Sequence, residues 1–128
     1  MSRPETLSAP TSAADPGPRP ELSVVVTLYD EVGTLDELQQ RLTATLGAFG
    51  RTYEIVYVDD GSTDGTFAAL ERIHADDAHV RAVRLKRNSG QHPAMHAGLS
   101  RARGGIVITM DGDLQNPPED VRALVEAV

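Results

Sequence analysis

Four short runs of apolar, mostly β-branched residues, at 22–28, 53–58, 80–85 and 106–110, alternate along this chain with stretches of helical periodicity. Continuous apolar runs of this length suit strands covered on both faces, as in a parallel sheet, because a strand with one wet face alternates polar and apolar residues. The pattern between them is helical. Leu35, Leu38, Leu42, Leu46 and Phe49 recur at three- and four-residue spacing before Gly50, and Phe67, Leu70 and Ile73 mark a second amphipathic stretch over 66–75. A third helix is expected from Gln91 or His92 to Ala102, and a fourth carries Val121, Leu124, Val125 and Val128. The alternation predicts an α/β domain: an open, mostly parallel, Rossmann-like sheet with helices on both faces. The expected strand order is third-second-first-fourth. Ligands of such sheets sit beyond the C-terminal strand ends, where the order reverses between the first and last strands.

Local signals place the helix ends. Thr34 with Glu37 three residues on predicts a capping box, and Gly50 a C-terminal stop. Asn116, Pro117 and Glu119 are placed to cap, begin and back-cap the last helix.

Composition bounds the rest. Residues 1–20 hold five of the eight prolines and no periodic apolar pattern, so they read as a disordered leader ahead of one domain over 21–128. The leader has no apolar stretch of signal-peptide type, and no run in the chain is long and apolar enough to span a bilayer. Cysteine is absent, which removes disulfides and thiolate metal sites and is compatible with the cytoplasm. The net charge of -7 argues against nucleic acid as a partner, since backbone binding needs a basic field. A small anionic ligand remains compatible if a cation or helix N-termini supply local positive potential. Nothing in the sequence sets the oligomeric state.

Acidic and polar residues gather where the fold predicts a site. Tyr29-Asp30-Glu31 follows the first strand, Asp59-Asp60-Gly61-Ser62 the second, and Asp111-Gly112-Asp113-Leu114-Gln115 the fourth. Asp111 and Asp113 flank a glycine that permits a tight turn, bringing both carboxylates to one ion; oxygen ligands of this kind suit Mg²⁺ or Mn²⁺. Ordinary turn and cap roles are the other reading of that pair, as an exposed amide is for Gln115. Asp59 and Asp60 either hold the 61–65 loop through Asx-type bonds or accept a hydrogen bond from a nucleobase. Tyr29 suits stacking on a base and simple packing equally.

Other chemistries lack their signatures. No GxGxxG follows the first strand, and no glycine-rich loop ends in GKS or GKT, so dinucleotide oxidoreductases and P-loop NTPases are disfavoured. His92 and His96 lie four apart without the glutamate of HExxH, so a zinc hydrolase has little support.

The blocks VVVTLYDE (24–31), VDDGSTDGT (58–66), RNSGQH (87–92) and ITMDGDLQNPPED (108–120) resemble those of the family 2 glycosyltransferases with the GT-A fold. The resemblance is strongest to bacterial polyprenyl-phosphate glycosyltransferases, the dolichol-phosphate-mannose synthase and undecaprenyl-phosphate aminoarabinose transferase groups, and it runs from Leu22 to Val128. It implies a GT-A nucleotide-sugar-binding half, with Tyr29 and Glu31 in the nucleotide pocket. Asp60 then reads the base with Asp59 supporting the loop, and Arg87 and Gln91 steady the neighbouring loop or meet donor phosphates. Asp111 comes to lie beside the diphosphate or sugar, Asp113 becomes the foremost metal ligand, and Gln115 an additional one. Three positions depart from the pattern: Thr27 stands where proline is common, Asp30 where asparagine is usual, and Ser89 where an aromatic is common. The charge on Asp30 bears on donor preference.

The resemblance further implies direct, inverting, Mg²⁺- or Mn²⁺-dependent transfer from a UDP- or GDP-linked sugar to polyprenyl phosphate. A longer parent enzyme would act at the cytoplasmic face of a membrane, with this chain its C-terminally truncated donor-binding part. The alternatives are a catalytically incomplete nucleotide-sugar-binding module, a glycosyltransferase with a saccharide hydroxyl as acceptor, and a nucleotidyltransferase releasing pyrophosphate.

Overall fold

The computed structural model of the chain describes residues 5–7 and 18–128. Its elements are β1 (Glu5–Leu7), β2 (Leu22–Leu28), α1 (Leu35–Phe49), β3 (Tyr53–Asp59), α2 (Thr66–Asp76), β4 (Val80–Arg84), α3 (Gln91–Leu99), β5 (Ile106–Asp111) and α4 (Asp120–Glu126). They form one sheet in the order β1-β4-β3-β2-β5. The four expected strands are parallel and in the expected order, with β2 between β3 and β5. Most of the expected leader lies outside the described residues. The three described near its start form β1, which pairs antiparallel with β4 at the sheet edge.

The two faces are covered unequally. Side chains of alternate strand residues, including Leu22, Val24, Val26, Leu28, Ile55 and Tyr57, pack with the apolar stripes of α1, α2 and α4. On the other face Val25, Val56, Val58 and Val83 meet α3. All seven residues of β2 are buried, which explains its unbroken apolar run. The polar exceptions within β2, Ser23 and Thr27, are satisfied in place. Ser23 Oγ donates to Glu54 Oε2 at 2.6 Å, and Arg81 and Arg103 approach Glu54 Oε1 at 3.3 and 3.4 Å. Burial pushes the Glu54 carboxyl up, but the Ser23 hydroxyl, the Arg103 amide and the Arg81 guanidinium outweigh it and hold it below its ordinary value.

Gly50 ends α1 with φ 81, as expected of a left-handed C-cap. Both predicted N-terminal boxes are absent. Thr34 makes no side-chain cap bond, and its hydroxyl lies near Glu31 O, Glu31 Oε2 and Gly112 O instead. The last helix starts at Asp120, and its first bonds run to the Pro117 and Pro118 carbonyls rather than to Asn116. One residue accounts for both glutamates. Arg41 bonds Glu119 through Nε at 2.9 Å and Nη2 at 2.5 Å, and Glu37 through Nη1 at 3.0 Å. A forked guanidinium between two carboxylates outcompetes a neutral backbone N–H as their partner.

Candidate functional site

The C-terminal ends of β2, β3 and β5 open on a cavity of about 330 Å³, lined among others by Thr27, Tyr29, Glu31, Asp60, Gln91, Asp111 and Asp113. A larger concavity of about 750 Å³ lies at the opposite strand ends, against Arg51, Tyr53, Glu54 and Arg103. Several of its charged groups are engaged: Arg81 and Arg103 with Glu54, and Arg51 with Glu21 beside the lining. The smaller cavity gathers the acidic motifs and is the candidate site.

Its floor is built from the loop after β3. Gly61, at φ 73, lets the chain pass so close to the next crossover that a Cβ there would sit 2.2 Å from Arg87 C and 2.3 Å from Asn88 N. Asp60 fastens the two segments: Oδ1 accepts from Ser89 N at 2.7 Å and Oδ2 from Gly90 N at 3.1 Å. At 6% exposure it is almost wholly covered yet lies on the cavity wall. Asp59 points inward. Its Oδ1 accepts from Ser62 N at 3.0 Å, Oδ2 is buried without a hydrogen-bond partner, and burial raises its pKa.

The loop after β2 is tied to the same region. Asp30 takes φ 51, a conformation that asparagine and aspartate tolerate better than most residues. Its Oδ1 accepts from Thr63 N at 2.9 Å, and its own N–H donates to Ser62 Oγ at 2.8 Å. Glu31 N donates to Thr66 Oγ1 at 3.0 Å, and Asp64 accepts from Val32 N at 3.2 Å. Burial raises the Glu31 pKa, and nearby Asp113, Asp64 and Asp30 add to the rise against the Thr34 hydroxyl. Tyr29 stands at the rim, 45% exposed.

The third strand end carries the paired acids. Asp111 closes β5 beside Thr27, its register partner on β2. Asp111 Oδ1 accepts from Gln91 Nε2 at 2.9 Å and from Thr27 Oγ1 at 3.1 Å. The tight turn after it comes about differently from the expectation. The left-handed residue is Leu114, at φ 63, not Gly112. Gly112 is needed for space, since a Cβ there would lie 2.1 Å from Leu28 Cδ2. Asp113 is exposed, and its Oδ1 accepts from Gln115 N at 3.0 Å.

The fold thus brings Tyr29, Glu31, Asp60, Gln91, Asp111 and Asp113 to one cavity, whereas Asp59, Arg87 and Gln115 are not on its lining. Among the described residues no group of three or more His, Cys, Asp or Glu is arranged to hold a metal ion. His92 and His96 are exposed on α3. Sequence reasoning overlooked Asp64, Thr66 and the Thr27 hydroxyl. The run Asp64-Gly65-Thr66 carried a signal for the first two, a short polar side chain placed to bond a nearby backbone.

Comparison with known proteins agrees with this geometry. The family model described as glycosyl transferase family 2 matches residues 23–128. An undecaprenyl-phosphate 4-deoxy-4-formamido-L-arabinose transferase from Klebsiella pneumoniae (strain 342) is 46% identical over 110 residues, covering 85% of this chain and 34% of that protein. The enzyme of the same name from Pseudomonas fluorescens (strain SBW25) is 48% identical over 106 residues, 82% of this chain and 31% of that protein. The chain therefore spans about a third of the length of these relatives. Among solved structures, the mannosyltransferase PcManGT from Pyrobaculum calidifontis, in complex with GDP-Man and Mn²⁺, matches with a TM-score of 0.66 and 30% identity, covering 85% of this chain and 32% of that one. S. aureus TarS in complex with UDP matches with a TM-score of 0.59 and 25% identity, over 84% and 32% of the two chains. The alternating sheet, the acid-bearing strand ends and the matched family agree: this chain belongs to glycosyl transferase family 2.

Proposed function

We propose that this chain is the donor-binding part of a glycosyltransferase that moves a sugar from a nucleoside diphosphate to polyprenyl phosphate, and that these 128 residues bind the donor without transferring it. The observation that carries the reading is the convergence of three acid-bearing strand ends on one cavity at the sheet's order reversal. The acceptor class rests on relatives named for undecaprenyl phosphate. The lack of turnover rests on the share of those relatives that the chain spans. Among the described residues no helix is long and apolar enough to cross a membrane. The membrane site of action, at the cytoplasmic face, is proposed for a longer parent enzyme on the strength of relatives named for a lipid-phosphate acceptor.

In this reading Tyr29 flanks the base at the rim, Asp60 accepts from a base N–H with the lone pairs its loop bonds leave open, and Glu31 closes the mouth. Asp111 and Asp113, both on the cavity lining, suit Mg²⁺ or Mn²⁺, and Gln115, off the lining, is left out of the ligand set. Such ions take one or two carboxylates and complete their shell with water and substrate phosphates, so two acids suffice where three are lacking. A bound cation would offset charge on the departing diphosphate. The acceptor phosphate, anionic near neutral pH, would attack the sugar C1 while the C1–oxygen bond to the diphosphate breaks with its electron pair, inverting the centre. No strong general base is then required, and positioning carries much of the rate.

The test is transfer of a labelled sugar from UDP- and GDP-linked donors to short-chain polyprenyl phosphate, by residues 1–128 and by the chain extended through its reading frame. Binding without transfer by the short chain, with turnover on extension, is expected. Robust turnover by the short chain would overturn the incompleteness. Transfer only to a soluble sugar would overturn the acceptor.

A further inference from the structure

We propose that the Thr27 hydroxyl is a positioning group for Asp111, fixing the carboxylate so that Oδ2 faces the donor's cation. This inference rests on the donor-site reading above. Thr27 and Asp111 are register partners on adjacent parallel strands, which directs their side chains to the same face of the sheet. That is the face covered by α3, whose first residue is Gln91.

Two donors therefore converge on one carboxylate oxygen from different elements. Gln91 Nε2 reaches Asp111 Oδ1 at 2.9 Å from the start of α3, and Thr27 Oγ1 reaches it at 3.1 Å from β2. Among the described residues no hydrogen bond reaches Oδ2. The two donors are not equivalent. Gln91 is exposed and its long side chain has many rotamers, whereas Thr27 is 9% exposed on a central strand and β-branched, so its χ1 is restricted. Thr27 supplies the rigid bond and Gln91 the adaptable one. A carboxylate held on one edge presents its other oxygen in one direction, and a cation bound by few protein ligands depends on that direction more than one held in a full cage.

Thr27→Val removes the hydroxyl while keeping the branched shape, and Thr27→Ser restores it. The measurement is Mn²⁺ affinity in the presence of GDP, and separately UDP, followed by loss of the free Mn²⁺ paramagnetic resonance signal. Thermal melting confirms that each variant is folded. Should Thr27→Val melt below the assay temperature, Thr27→Ala takes its place. The expected result is roughly tenfold weaker Mn²⁺ binding for Thr27→Val, the scale of one hydrogen bond to a charged group, with Thr27→Ser within about twofold of the unsubstituted chain. The Gln91 side-chain amide resonances, which report the Asp111 carboxylate, should shift in Thr27→Val without any ligand and return in Thr27→Ser. Unchanged Mn²⁺ affinity in Thr27→Val, or equal losses in Thr27→Val and Thr27→Ser, would overturn the positioning role alone. Failure of the unsubstituted chain to bind Mn²⁺ with either nucleotide would overturn the donor-site reading and this inference with it.

Discussion

Gly61→Ala tests the joint between two site loops, and Gly50→Ala is its natural control. Both glycines are left-handed, with φ 73 and 81, so alanine meets a similar backbone penalty at each, about 1–2 kcal/mol. Their surroundings differ. Nothing lies within 4 Å of a Cβ built at Gly50, whereas at Gly61 the Cβ would sit 2.2 Å from Arg87 C. Backbone cannot rotate aside as a side chain can. The segments need about 1.2 Å of separation to bring 2.2 Å back to the 3.4 Å where van der Waals contact becomes ordinary. That movement stretches the Asp60 bonds to Ser89 N and Gly90 N, now 2.7 and 3.1 Å, beyond useful length. Solvent replaces part of what is lost at this half-exposed loop, so the added cost is about 1–3 kcal/mol. Urea unfolding should then place Gly61→Ala about 1–3 kcal/mol below Gly50→Ala, with nucleotide affinity reduced only in the former. Equal destabilisation of the two variants, with nucleotide binding intact in both, would refute the close approach and the argument built on it.

Other perturbations follow from the same contacts. Asp60→Ala should cost about 2 kcal/mol of stability by freeing the 89–90 amides, and should weaken UDP or GDP binding in metal-free buffer by a similar amount. Calorimetry that finds lost stability with unchanged affinity would leave Asp60 a loop fastener and remove it from base recognition. Glu54→Gln should lower stability at neutral pH by about 2 kcal/mol, since it leaves Arg81 and Arg103 without their buried counter-charge. The Glu54 pKa is depressed on folding, so its contribution is present above the ordinary carboxyl value of 4.5 and is lost as pH falls through the folded value. Unfolding curves of the two proteins should converge in acid, and a constant gap from neutrality to low pH would contradict this.

The sheet was legible because its determinants are repetitive. The wholly buried β2, and the stripe of α1 at residues 35, 38, 42 and 46, follow directly from apolar spacing. The strand-end acids were legible because topology alone gathers loops at one edge of a parallel sheet. The starts of the first three helices, at Leu35, Thr66 and Gln91, were legible too, but the capping bonds were not, because a capping signal is local and the glutamates that carried it have a distant competitor in Arg41. The turn after β5 shows a related limit. Glycine at 112 suggested a backbone angle, but its cause is the space taken by Leu28, and the strained angle falls on Leu114. Partnerships such as Asp60 with Ser89 and Thr27 with Asp111 join residues 29 and 84 positions apart, and no local pattern announces them.

The central claim is that the cavity at the ends of β2, β3 and β5 takes a nucleoside diphosphate together with a divalent cation. Its most direct test is isothermal titration of UDP and GDP into residues 1–128 with and without Mn²⁺, repeated on Asp113→Ala. Asp113 is exposed on the rim and outside the hydrophobic core, so the variant should fold as the parent does. The account predicts that one nucleotide binds, that Mn²⁺ tightens it at least about tenfold, and that Asp113→Ala removes this enhancement while leaving the metal-free affinity in place. Absence of binding by either nucleotide, or an Mn²⁺ enhancement that survives Asp113→Ala unchanged, would contradict it.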